Sequence, residues 1–290
     1  MWYFPSLYVI LLNSITYILT EGGINLPKNK TKKIRFRDKI KQEIRQHKSS
    51  FYVFNTLYIL VIVSLVRQFF IGNYESVFLC ILTLVLLIIP AIIQARFRME
   101  LPPTLEIIIL LFIFSAEILG EINSFYFIIP FWDTMLHTLN GFLAAAIGCS
   151  LIVLLNNNKT LTFTLSPIFV AIVGFCFSMT IGVLWEFFEF GMDYYLGFDM
   201  QKDTIINTIH SYDLSSETGI VSSIGNITSV TVNGQDLNLG GYLDIGLLDT
   251  MEDLWVNFIG ALVFSIIGFF YAKSHGKGKL AKRFMPSIQE

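Results

Sequence analysis

The sequence predicts an all-α, polytopic membrane protein with six transmembrane helices, seven if residues 1–20 also insert, and one extracytoplasmic loop carrying a small β-hairpin. Three observations carry this. Of 290 residues, 54% are hydrophobic and only 14% charged, whereas a soluble globule carries roughly a quarter charged residues. Mean hydropathy is +0.63. Six apolar runs, near 51–71, 77–94, 104–124, 132–156, 163–190 and 246–272, approach or exceed the ~20 residues that a helix needs to cross a hydrocarbon core. Barrel strands are short and alternate apolar with polar residues, so a β-barrel does not fit.

Residues 1–22 form an apolar N-terminal segment in which Pro5, Asn13 and Ser14 interrupt an otherwise spanning run. It lacks the basic start and small-residue cleavage site of a signal peptide. A seventh span, an interfacial segment and an over-long start to the reading frame all stay open. Residues 23–49 are basic: ten of the twenty Lys and Arg lie within 28–48. The transmembrane domain follows at 50–272, and a basic tail at 273–290 closes the chain.

Orientation follows from those charges. Alternating spans put the 28–48 cluster, Arg96 and Arg98, Lys159, and the tail residues Lys273, Lys277, Lys279, Lys282 and Arg283 on one side. The positive-inside rule makes that side, and the C-terminus, cytoplasmic. Lys202 alone falls on the other side, and Arg67 lies within a span, free either to snorkel to the headgroups or to act as a countercharge to carboxylates. The basic 28–48 segment is read as a topological signal with added contact to anionic lipid; nucleic acid is not an expected partner. Cys80, Cys149 and Cys176 sit in apolar helix and read as small buried residues, with no disulfide or zinc pattern.

The loop from Asp193 to Asp244 is rich in Ser, Thr, Asn and Gly. INTIHS and ITSVTVNGQDLNL within it are β-like, with an Asn-Gly turn at 233–234. A hairpin lid or a tolerated decoration both fit a loop of this length.

Polar groups within the spans can then be placed by depth. The third span ends SAEILGEINSF, with Glu117 and Glu121 at i, i+4. The fourth begins FWDTMLHTLNG, where Asp133, His137 and either Asn140 or Gly141 share a stripe. The fifth ends LWEFFEFGMD, aligning Glu186, Glu189 and Asp193. The sixth begins LLDTMEDLWVNFIGA, stacking Asp249, Asp253, Asn257 and Gly260. At ~1.5 Å per residue, His137 lies roughly 9 Å past the start of its helix and Asn257 roughly 16 Å past its own.

An acidic residue at the centre of a membrane helix costs ~3 kcal/mol on insertion scales. Several at one depth imply that they face one another, water or a cation, in an outward-facing polar cavity between four helices. Asp133, Glu189, Asp193 and Asp249 are also compatible with solvated helix ends, and Asp133 and Asp249 suit the helix dipole. His137, Glu186, Asp253 and Asn257 lie deeper and resist that account. Gly182, Gly191, Gly260 and Ala144 to Ala146 would let the helices approach closely.

WDTMLHTLNGF, LWEFFEF and DTMEDLWVNFIGA, in that order, resemble the YjdF-like family of uncharacterised bacterial inner-membrane proteins and, more distantly, the VanZ-like membrane proteins associated with glycopeptide resistance. The resemblance covers roughly 50–272. It falls on Asp133, His137 and Gly141, on Glu186 and Glu189, and on Asp249, Asp253 and Gly260. Asn257 stands where YjdF-like proteins tend to carry an acidic residue, and Glu186-x-x-Glu189 stands where VanZ-like proteins have Glu-x-x-Gln followed by an Arg. The resemblance implies the bacterial cytoplasmic membrane and supplies no reaction.

Carboxylates with one His make a hard, oxygen-rich set suited to Mg²⁺, Mn²⁺ or Ca²⁺. The site is therefore expected to bind a cation, with Asp133, His137, Glu186, Asp249 and Asp253 as candidate ligands. Glu117, Glu121, Asn140, Asp193, Asn257 and Arg67 are supporting polar residues. Three functions follow: a metal-dependent hydrolase or transferase acting on a lipid-linked envelope substrate, with Asp133, His137, Glu186 and Glu189 as candidate catalytic groups; a proton- or cation-coupled transporter; or a non-catalytic polar core. No HExxH or GxSxG is present.

Overall fold

The computed structural model describes residues 48–97, 99–156, 165–285 and 287–288. The apolar N-terminal segment, the basic 28–48 cluster except Lys48, and Lys159 lie outside these. Among the described residues, five helices are long and apolar enough to cross a membrane. Side chains such as Val63, Phe70, Ile172, Phe187, Ile259 and Ile266 stand exposed around them. A belt of that size would be untenable in water.

Helix α1 (Lys48–Ile71) is followed by α2 (Tyr74–Leu86), whose start Asn73 caps by accepting the Ser76 N–H at 3.0 Å. After a turn at Leu87 and Ile88 the chain continues as α3 (Ile89–Phe97). Pro90 has no N–H for the helical ladder, which accounts for the break. The predicted third span is built differently from the others. It opens as α4 (Pro103–Phe114), with Pro103 at the N-terminal position that tolerates a missing N–H. It then widens into eight residues of π-helix, Ser115–Ile122, closed by the Asn123 N–H bonding to the Ile118 carbonyl at 3.1 Å. A short helix α5 (Phe125–Ile128) leads to α6 (Trp132–Asn156), α7 (Pro167–Leu196) and α8 (Leu247–Lys273).

Helices α6, α7 and α8 form the tightest unit. A Cβ on Gly141 would fall on the Asn257 carbonyl of α8, and one on Gly260 would fall on the Thr138 carbonyl of α6. Glycine at both crossing points is what lets these backbones touch. Ala145, Ala146, Cys149, Val170, Ala261 and Phe264 fill the seam below. A second core packs Phe54, Leu57 and Val61 of α1 against Cys80, Leu87, Ala91 and Leu110, while Leu101 and Leu105 meet Leu143 to join the two groups.

Two small-residue expectations fail. Cys176 is exposed on α7 rather than buried, and a side chain on Gly191 would meet nothing within 4 Å. Both lie away from the Gly182, Glu186 and Glu189 side of α7 that faces the bundle, on a surface as apolar as the core, where periodicity does not tell the two apart. The tail also differs from a freely solvated one. After α8, Ala281 and Met285 are buried in the α6–α8 core, and the Phe284 ring meets Phe142 edge-on at 5.2 Å. Strand β1 (Met99–Glu100) pairs with β8 (Ser287–Ile288) beyond it.

Between α7 and α8 the chain is short-stranded rather than helical. Helix α7 runs to Leu196, and Gly197 at φ 71° terminates it. Strands β2 (Thr204–Ile206) and β7 (Tyr242–Asp244) pair antiparallel and draw the two ends of the connection together. Strands β3 (Ile209–Ser211) and β4 (Ser222–Ile224) pair beyond them. Strands β5 (Thr231–Val232) and β6 (Gln235–Asp236) flank Asn233 and Gly234, whose φ values of 51° and 82° are those of a type I′ turn.

Candidate cation centre

The polar stripes of α6, α7 and α8 meet at the end of the bundle that carries this connection. His137 is the hub. Its Nε2 lies 3.5 Å from Asp133 Oδ1, one turn earlier on α6, and 3.5 Å from Asp253 Oδ2 on α8; its Nδ1 lies 3.8 Å from Glu186 Oε1 on α7. A neutral imidazole offers one donor and one acceptor, so it cannot donate to all three carboxylates. The separations are also too long for strong direct hydrogen bonds. Ligand atoms held roughly 2.1–2.4 Å from one ion sit about 3.0–3.9 Å apart, and the Nε2 separations from Asp133 and Asp253 fall in that range; Glu186 faces the opposite ring nitrogen.

Two ligand sets can be drawn, each with donor atoms within 4.8 Å of one another: Asp133, His137 and Asp253; and Glu186, Glu189 and Asp253. Glu186, Glu189 and Asp253 are 5%, 8% and 3% exposed. Glu186 Oε2 is buried without a hydrogen-bond partner, an arrangement that costs about 1–3 kcal/mol or more for a charged group. The Asp133 and Asp253 carboxylates both approach the same His137 Nε2 at 3.5 Å, a crowding that two bare carboxylates do not tolerate without a proton or a cation between them.

Beneath this cluster the floor is amide and glycine. Asn257, fully buried, accepts from Asn140 Nδ2 at 3.0 Å and lies against Gly182, where a Cβ would come within 2.8 Å of its Nδ2. Ser178 of α7 donates to the Gly141 carbonyl at 2.8 Å. Below Asn257 the seam is apolar. Two surface grooves, of about 450 and 560 Å³, are apolar and lie on the outside of the helices; the acidic groups meet as a packed cluster.

Not every stripe residue points inward. Asp193 accepts the backbone N–H groups of Met200 and Gln201 at 2.6 and 2.8 Å, and Asp249 accepts that of Lys202 at 2.8 Å. Both therefore anchor the connection over the cluster. Glu117, 3% exposed, and Glu121 come from the π-helical turn. The Tyr126 ring lies against Gly120 of the same turn. Burial and the carboxylates of Asp133, Glu121, Glu117 and Glu189 hold the Tyr126 phenol well above its ordinary pKa, so it keeps its proton as a donor. Arg67 is exposed on α1 and pairs with no carboxylate among the described residues.

Sequence reasoning missed four neighbours of these groups. Trp185 donates its indole N–H to Glu189 Oε1 at 2.8 Å. Thr250 takes the Gln201 side-chain amide at 2.5 Å and lies beside Glu186. Tyr126 is the third. Lys202 is the fourth: its ammonium lies 3.5 Å from Glu121, over the Tyr126 and Phe127 rings, and donates to the Asp199 carbonyl. Of these, only Lys202 carried a signal in the sequence, as the lone basic residue on its side of the spans.

The family model described as "Predicted membrane protein (DUF2238)" matches residues 52–274, and the chain belongs to that family. The YjdF-like resemblance is consistent with this membership, and nothing found bears on the VanZ-like one. No curated protein and no solved structure matches the chain.

Proposed function

We propose that this family member is a multi-pass protein of the bacterial cytoplasmic membrane that binds a divalent cation (Mg²⁺, Mn²⁺ or Ca²⁺) in an outward-facing site serving cell-envelope physiology. In this reading α4 and its π-helical continuation make a sixth span, the C-terminus is cytoplasmic, and the connection between α7 and α8 lies outside. The observation that carries the cation reading is the convergence of Asp133, His137, Glu186, Glu189 and Asp253 from three helices, without a pairing Lys or Arg among the described residues.

Buried like charges at such spacing are strongly unfavourable unless neutralised. An oxygen-rich set with one imidazole selects hard divalent ions over thiophilic ones. A bound ion there would polarise a phosphate or carbonyl oxygen of a lipid-linked substrate approaching from the bilayer, which is the enzymatic form of the proposal. The apolar seam below Asn257, filled by Ala145, Ala146, Ala261 and Phe264, favours binding or catalysis at one face over a conducting path.

Equilibrium dialysis of the purified, detergent-solubilised protein against Mn²⁺, Mg²⁺ and Ca²⁺ tests this reading. Saturable binding that Asp253→Asn abolishes in a folded protein supports it. Binding that is absent, or unchanged by Asp253→Asn, overturns it.

A further inference from the structure

We propose that the acidic seam is a two-cation centre in which Asp253 is the carboxylate common to both ions. This rests on the cation-binding reading above and adds a second ion and a bridging ligand. The two ligand sets, Asp133–His137–Asp253 and Glu186–Glu189–Asp253, overlap at Asp253 alone. One set is built from α6 and α8, the other from α7 and α8. Asp253 therefore stands where the two helix pairs meet, with Oδ2 turned to His137. A carboxylate has two oxygens and about four lone-pair sites, enough to serve both sets.

Charge balance points the same way. Asp133, Glu186, Glu189 and Asp253 are four carboxylates, and the nearby Lys202 ammonium is paired with Glu121 instead. One divalent ion would neutralise half of that charge; two neutralise it completely, in a place where residual charge is costly. Glu186 Oε2, buried and without a hydrogen-bond partner, is an oxygen available to coordinate. The Trp185 indole fixes the Glu189 carboxylate by holding its Oε1 at 2.8 Å. Such an outer hydrogen bond is how ligand carboxylates are oriented in metal centres. In known two-ion centres the ions stand ~3.5–4 Å apart, close enough for magnetic coupling.

The test uses the full-length protein in detergent, stripped with chelator, reloaded with Mn²⁺ and read by elemental analysis and low-temperature electron paramagnetic resonance. Two Mn²⁺ per chain with an exchange-coupled spectrum are expected. Glu189→Gln should leave one ion with an uncoupled six-line signal, and Asp253→Asn should remove the coupling, each in protein whose thermal unfolding confirms a folded bundle. The wild-type spectrum stands independently of both variants. A single uncoupled ion in the wild type overturns the two-ion centre and leaves the one-ion reading intact; no bound ion overturns both. Coupling that persists in Asp253→Asn also overturns the proposal, because it removes Asp253 as the bridge.

Discussion

His137 Nε2 and Asp253 Oδ2 face each other at 3.5 Å across the α6–α8 seam, at a level set by two glycines. Gly141 and Gly260 bring α6 and α8 into backbone contact one turn below. Without that approach the imidazole and the carboxylate would stand too far apart to share an ion. Helix packing and site geometry are thus one feature.

Substituting those glycines tests the dependence. Gly141→Ala or Gly260→Ala puts a methyl group onto a carbonyl of the facing helix, so the helices must separate. The expected cost is about 1–3 kcal/mol, the range for overpacked cores, read as lower thermal stability in detergent. Cation affinity should fall with it. Gly191→Ala, which meets open space, should leave both unchanged or raise stability by up to about 1 kcal/mol through helix propensity.

Lys202 ties the connection to the bundle. Its ammonium pairs with Glu121 and its backbone N–H with Asp249. Lys202→Met should cost about 1 kcal/mol in global stability, the upper end for surface ion pairs, because this pair is only about a fifth exposed. Hydrogen exchange should nonetheless rise across 199–206, and the helices should stay protected. Equal exchange in the two proteins would show that the ammonium does not hold the segment.

Cation binding should strengthen with pH. Carboxylates and imidazole must be deprotonated to act as ligands, so binding releases protons. Proton competition favours the ion-free state in acid, and apparent Mn²⁺ affinity measured by dialysis at pH 5.5 should be lower than at pH 7.5. An affinity independent of pH over that interval would mean that the ligand groups do not titrate with binding.

Five of the spans were legible because a lipid-soluble helix needs length and apolarity, and both are local properties of the chain. The acidic stripes were legible for the complementary reason: a carboxylate within an apolar run is conspicuous. What each stripe residue faces was less so. Asp133, Glu186 and Asp253 turn to His137, whereas Asp193 and Asp249, one or two turns away on the same stripes, bond to backbone N–H groups of Met200, Gln201 and Lys202. Those partners are fixed by the path of the connection, which no helical periodicity encodes. Cys176 and Gly191 escaped for a different reason: lipid and core are equally apolar, so hydrophobicity does not tell one side of α7 from the other. The π-helical turn at Ser115–Ile122 and the return of Phe284 into the bundle likewise depend on tertiary packing.

The central claim is that a divalent ion sits in this cluster with Asp253 among its ligands. Anomalous diffraction from crystals of the Mn²⁺-loaded protein, collected at the manganese absorption edge, tests it most directly. The account predicts an anomalous peak within about 2.0–2.6 Å of an Asp253 carboxylate oxygen, lost in crystals of the Asp253→Asn protein. A loaded wild-type crystal with no peak there, and with the Asp133 and Asp253 carboxyls hydrogen-bonded directly to each other, would contradict it.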